Sequence, residues 1–190
     1  FVSLYYVCSL GEALSVYHCF DKNITKILNE QKFDSKIVLS QEQEKAKRFL
    51  DEKKQALLFA NTGAGKTEVY IKIIEEHLNK NKQAILLMPE ISLTPQMEKR
   101  LEKVFGTSVA IWHSKITKKK KDEILQGLQE GSIKLIAGAR SALFLPYSDL
   151  GVIVVDEEHD DSYKSDSKPR FHTKDSSKNN AQTLHVPLPI

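Results

Sequence analysis

A chain of 190 residues with 41% hydrophobic and 28% charged residues has room for one sizeable buried core and enough polar surface to cover it. Its net charge of +3 is too small to name a partner, so any polyanion-binding role has to rest on local sites. Cys8 and Cys19 have neither zinc-ligand spacing nor the density of a disulfide scaffold, which favours a reducing compartment and hence the cytoplasm; no apolar run is long enough to span a bilayer.

The opening stretch, FVSLYYVCSLGEALSVYHCF, is apolar but begins without Met and lacks a basic leader. It reads as the end of a preceding domain rather than a signal peptide, and residues 1–38 are expected to be flanking material. Ser40 with Gln43 forms a capping box that predicts a helix start. From there apolar runs alternate with helical patterns. The runs are ALLFA (56–60), expected as a buried strand, AILLMP (84–89), VAIWH (109–113), KLIAG (134–138) and GVIVVDE (151–157). Between them Tyr70, Ile73, Ile74 and Leu78 repeat at helical spacing, as do Met97, Leu101, Val104 and Phe105, and then Ile124, Leu125 and Leu128. Thr94-Pro95 is a cap followed by proline at the first helical position. The run Lys118 to Lys121 has the composition of a solvated helix face. Strands alternating with helices predict an α/β domain over 39–190, with a mostly parallel sheet covered on both faces. The stretch from Ser162 to Asn180 is polar and reads as loop.

Two motifs carry chemistry. FANTGAGKTEVY (59–70) nearly fits the phosphate-loop pattern, with Ala60 in the place of the first glycine. A strand, a loop of small residues (Thr62, Gly63, Ala64, Gly65) and a helix starting at Lys66 are the order a phosphate cradle requires. Backbone N–H groups approach the anion there, and the helix N-terminus adds partial positive charge. Lys66 is then expected on the outer phosphates and the Thr67 hydroxyl on Mg²⁺. The bland alternative is a glycine-rich turn with no ligand. The second motif weighs against it. The run Gly151 to Val155 ends directly in Asp156-Glu157-Glu158-His159, acidic and imidazole groups closing an apolar strand. A phosphate-loop hydrolase needs one carboxylate to hold Mg²⁺, here Asp156, and a second to orient or deprotonate water, here Glu157.

Asp-Glu-Glu-His at this position resembles the second motif of the DEAD/DEAH-type helicases. TGAGKTEVY, LMPEISLTPQM, WHS, GARSALF, GVIVVDEEHDDSYK and PRFH, in that order, resemble one group of them, the bacterial replication-restart helicases of the primosomal protein N′ family. The resemblance runs almost continuously over 39–175. It implies a RecA-like first helicase lobe, ATP hydrolysis with Mg²⁺, and 3′→5′ unwinding of forked DNA. The same family implies primosome and single-strand-binding proteins as partners.

Carried over residue by residue, the resemblance implies adenine contact for Gln43, whose capping-box role stands beside it. His159 joins Lys66, Asp156 and Glu157 in the hydrolytic set. Pro89-Glu90, Thr94, His113-Ser114 and Gly138 to Ser141 correspond to segments that grip single-stranded DNA, with Arg140 the direct phosphate partner. Tyr163, Lys164, Arg170, Phe171 and His172 resemble an aromatic loop that couples DNA to the ATP site. Trp112 and Phe144 are expected in the core. Departures include a segment after Asp175 that loses the family pattern. The family's zinc module and second lobe, with its arginine finger, are expected outside this chain, so the fragment alone is expected to hydrolyse almost nothing. Other readings are a repair or restriction translocase of the same class, and a non-hydrolysing DNA-binding module.

Overall fold

A computed structural model describes residues 32–61, 63–157 and 160, together with a strand over 182–186. Strands β1 (Gln55–Leu57), β2 (Gln83–Leu87), β3 (Val109–Trp112), β4 (Leu135–Gly138), β5 (Leu150–Asp156) and β6 (Gln182–Val186) form one sheet, in the order β1-β6-β5-β2-β4-β3. Every neighbouring pair is parallel. The helices are α1 (Gln41–Asp51), α2 (Lys66–Asn79), α3 (Pro95–Phe105) and α4 (Lys118–Glu130).

Strand alternation divides the core in two. In β2, Ala84 and Leu86 face one cluster with Tyr70, Ile74 and Leu78 of α2 and Leu101 and Phe105 of α3. Ile85 and Leu87 face the other, with Ile124 and Leu128 of α4, Trp112 and Ala142. A sheet covered on both faces needs apolar residues at every position of its central strands, which is why AILL and VIVV read as unbroken apolar runs. The helix starts lie at the expected caps. Ser40 Oγ accepts from Gln43 N while Gln43 Oε1 accepts from Ser40 N at 2.8 Å, and Thr94 Oγ1 accepts from Met97 N ahead of Pro95.

Two expectations are corrected and one segment gains a role. Only Gln55–Leu57 of the ALLFA region is strand, and the run is not buried: Leu57 is 57% and Phe59 is 60% exposed. β1 is an edge strand, so Ala56 and Leu58 pack against the core while the alternate residues look outward. β6 was not expected at all, yet it pairs with β1 on one side and β5 on the other. Ahead of α1, the segment read as flanking material contributes Phe33, 5% exposed, to the core. Phe33 meets Phe105 edge-on at 5.8 Å, and its backbone exchanges two hydrogen bonds with the Asn79 side chain. Ser35 N donates to Glu75 Oε2 at 2.8 Å, a second tie to α2.

Candidate nucleotide site at the carboxyl edge of the sheet

In a parallel sheet all carboxyl ends of the strands open on one edge, and loops leaving them meet there. The loop after β1 turns back on itself, with Ala64 N donating to Asn61 O at 3.1 Å. Gly63 and Gly65 take φ of +80° and +76°, a left-handed backbone that side-chain-bearing residues adopt at a cost. A Cβ on Gly65 would also sit 2.1 Å from Gln43 Nε2, so a side chain there would push the Gln43 amide off the loop. Gly65 is the cap of α2 and brings no side chain to the first-turn N–H groups, which leaves that helix end suited to an anion. Lys66 Nζ donates to Ala60 O at 2.7 Å and Asn61 O at 3.3 Å, so its ammonium lies over the loop itself. Gln43 closes the capping box, and its Nε2 donates to Ala64 O and Gly65 O, each at 3.3 Å. The start of α1 is thereby fastened to the loop.

The second carboxyl-edge motif lies at the end of β5. Val152 to Val155 are buried, and Asp156 emerges half-buried at the rim. Its two oxygens have separate partners: Tyr70 OH donates to Oδ2 at 3.2 Å, and Glu157 N donates to Oδ1 at 3.0 Å. Burial pushes the Asp156 carboxyl above the usual aspartate range, and the Glu157 charge adds to the rise; the Tyr70 bond, the backbone bond and Lys66 oppose it. Burial likewise pushes the Tyr70 hydroxyl up, with the Asp156 charge adding to it. Glu157 has φ of +49°, and Asp160 N donates back to its carbonyl at 2.9 Å, so the chain turns sharply as it leaves the strand.

The other predicted segments end on the same edge. Leu87 of β2 is level with Gly138 of β4 and Val155 of β5, and Gly138 is level with Trp112 of β3. Pro89-Glu90, His113-Ser114 and Ala139-Arg140-Ser141 follow directly after those strand ends. Arg140 is half-buried at the start of a short 3-10 helix, Arg140–Phe144. Gly138 is fixed by crowding: a Cβ there would lie 2.5 Å from Trp112 O. Trp112 and Phe144 are core residues, each 4% exposed, and Trp112 Nε1 donates to Ser141 Oγ at 3.2 Å. Thr62, His159, Tyr163, Lys164, Arg170, Phe171 and His172 lie outside the described residues.

Lys66, Thr67, Gly63, Ala64, Gly65, Asp156 and Glu157 are thus brought to one edge, with Gln43 braced against the loop. The set suits a magnesium nucleotide: a loop with two glycines in left-handed backbone, a lysine at its mouth, and a hydroxyl and a carboxylate of the hard-oxygen kind that Mg²⁺ prefers. Sequence reading missed Tyr70, which it absorbed into an apolar helical stripe. The available signal was chemical, because a buried tyrosine hydroxyl usually finds a partner.

Comparison with known proteins agrees with this geometry. The DEAD/DEAH box helicase family profile matches residues 40–184. The replication restart protein PriA of Helicobacter pylori strain J99 is 43% identical over 176 residues, covering 92% of this chain and 28% of that protein. Its counterpart in Bacillus subtilis strain 168 is 47% identical over 125 residues, covering 66% of this chain and 16% of that protein. The chain therefore spans under a third of the length of these relatives. Among solved structures, RecG bound to a three-way DNA junction aligns with a TM-score of 0.61 at 20% identity, over 81% of this chain and 21% of that one. The Pyrococcus furiosus Hef helicase domain aligns with a TM-score of 0.58 at 18% identity, over 78% of this chain and 33% of that one. At such identities these two establish the fold, that of a RecA-like helicase domain.

Proposed function

Because the chain belongs to the DEAD/DEAH box helicase family, we propose that it is the ATP-binding lobe of a 3′→5′ DNA helicase acting in replication restart at forked DNA. The observation that carries the ATP part of this reading is the joining of the Lys66 loop to the Asp156 strand end through Tyr70. On this reading the first turn of α2 and Lys66 hold the phosphates, and Thr67 and Asp156 hold Mg²⁺, which neutralises charge on the transferring phosphoryl group. Glu157 receives the proton of the attacking water, and Gln43 reaches the adenine from its place on the loop. The DNA part rests on the relatives' replication-restart identity and on the alignment of strand ends that includes Arg140. Arg140 contacts the DNA backbone, Tyr163 to Phe171 stack on single-stranded bases, and primosome and single-strand-binding proteins are the partners. Among the described residues no helix is long and apolar enough to cross a membrane; the cytoplasmic place of work in this reading rests on the relatives' replication-restart identity.

The test uses the full-length protein with forked DNA. Lys66→Ala is expected to lose nucleotide binding and turnover together. Glu157→Gln is expected to bind nucleotide while hydrolysis falls by roughly 10²–10⁴-fold, the usual worth of a general base. If both variants lose nucleotide binding equally, Glu157 has no hydrolytic role; unwinding that survives Lys66→Ala ends the helicase reading.

A further inference from the structure

A tyrosine 1% exposed is normally read as core volume, and Tyr70 does fill space among Ile73, Ile74 and Val69 of α2. Phenylalanine would fill the same space. What phenylalanine would lack is the hydroxyl, which reaches across 86 residues of sequence to Asp156 Oδ2 at 3.2 Å. Thr67 lies three residues earlier on α2, one helical turn away on the same face as Tyr70. One buried group therefore bonds the carboxylate residue that the proposed function assigns to magnesium and stands one helical turn from the hydroxyl residue assigned with it. Asp156 Oδ1 is held separately by Glu157 N, so with Tyr70 in place both carboxylate oxygens have fixed partners.

We propose that Tyr70 is the positioning residue of the magnesium carboxylate: its hydroxyl orients Asp156 and ties β5 to the helix that carries Lys66 and Thr67. The proposal rests on the reading of this edge as a magnesium-nucleotide site. Its physical content is pre-organisation. A carboxylate at a strand end rotates about two bonds, and a rotation of either one redirects its oxygens. Bonds from Tyr70 and Glu157 N restrict those rotations before any cation arrives, so binding need not order the ligand as well. Tyr70 touches neither nucleotide nor reacting atoms on this account and acts through Asp156.

The discriminating experiment titrates a fluorescent ADP into the full-length protein, once in EDTA and once across a range of magnesium concentrations. In Tyr70→Phe the magnesium needed for the half-maximal gain in affinity is expected to rise about tenfold, the low end of what loss of an outer partner does to metal sites. Affinity for ADP in EDTA is expected to stay at the wild-type value, and the nucleotide-free melting temperature to fall only by what one hydrogen bond to a half-buried carboxylate contributes. Tyr70→Met, which fills the volume without a ring or hydroxyl, is expected to show the same magnesium shift. A Phe variant with an unchanged magnesium requirement overturns the proposal, and so does one that loses equal affinity in EDTA and in magnesium, since that marks a general disturbance of the loop. Wild-type protein that binds ADP through Lys66 but gains nothing from magnesium overturns it too. Wild-type protein that binds no nucleotide overturns the functional reading beneath it.

Discussion

Glu157 adopts φ of +49° without being glycine, and replacing it separates backbone strain from hydrolytic chemistry. Holding an L-residue in left-handed conformation costs roughly 1–2 kcal/mol. Glycine removes that cost but adds about 0.5–1 kcal/mol of unfolded-state entropy. The two backbone bonds at this turn, Glu157 N to Asp156 Oδ1 and Asp160 N to Glu157 O, survive any change of side chain except proline. The side chain forms no ion pair with a described residue, and its charge raises the neighbouring Asp156 carboxyl, so removing it costs the fold little. Glu157→Gln relieves the charge and keeps the strain; Glu157→Gly relieves both. The difference between the two variants isolates the backbone term, about 0.5–1 kcal/mol in favour of glycine, or about 2 °C of melting temperature for a domain of this size. Differential scanning of wild type and both variants without nucleotide measures it, and an ATPase assay is expected to find both variants inactive. Glu157→Gly melting below Glu157→Gln would refute the strain argument and mean that the turn is held for a reason other than placing a carboxylate.

Three further outcomes follow from close packing and burial. Gly138→Ala drives a methyl group to 2.5 Å from Trp112 O, which must move; a loss of about 1–3 kcal/mol is expected in urea unfolding, with Ala139 N to Trp112 O the first bond disturbed. Phe33→Ala removes a ring stacked edge-on to Phe105 and is expected to cost about 3–5 kcal/mol, whereas a loss below 1 kcal/mol would mean that the 32–39 segment is only draped on the surface. For Asp156 the native carboxyl binds its proton more tightly than the unfolded chain does. The stability this gives is complete below the ordinary aspartate range near about pH 4 and is lost as pH rises through the raised native value. In EDTA, Asp156→Asn is therefore expected to melt above wild type at neutral pH, with the gap closing on acidification; a gap that widens instead refutes the direction.

The sequence was most readable where local physics decides the structure. β2 and β5 are buried on both faces and so appear as unbroken apolar runs; Ser40 and Thr94 cap helices with their own side chains, a signal contained within four residues. The helical stripes of α2, α3 and α4 face the core as their spacing predicts. Reading failed where a neighbour distant in sequence decides. Gln182 to Val186 has only short alternation and a polar flank, and its strand character comes from the gap between β1 and β5 that it fills. β1 looked buried because composition cannot tell an edge strand from a central one. The phosphate loop and Asp156-Glu157 were legible as separate motifs, but the Tyr70 bond that joins them spans α2 and β5 and leaves no trace in either segment's pattern.

The placement of β6 also sets an order of assembly. β2 to β5 pair among themselves, so that block closes as soon as β5 is made. β1 has no such freedom: its strand partner is β6, with Gln55 opposite Thr183, so the strand leading into the phosphate loop pairs only once residues 182–186 have been made. During synthesis the strand end carrying Asp156 is paired before the loop strand is latched onto the sheet. Opening the β6–β5 pairing would free the loop strand while leaving the β3-β4-β2-β5 pairings intact. On the proposed reading, ATP joins the loop on one side of that pairing to Asp156 on the other, and bound nucleotide is expected to slow hydrogen exchange in β1 and β6.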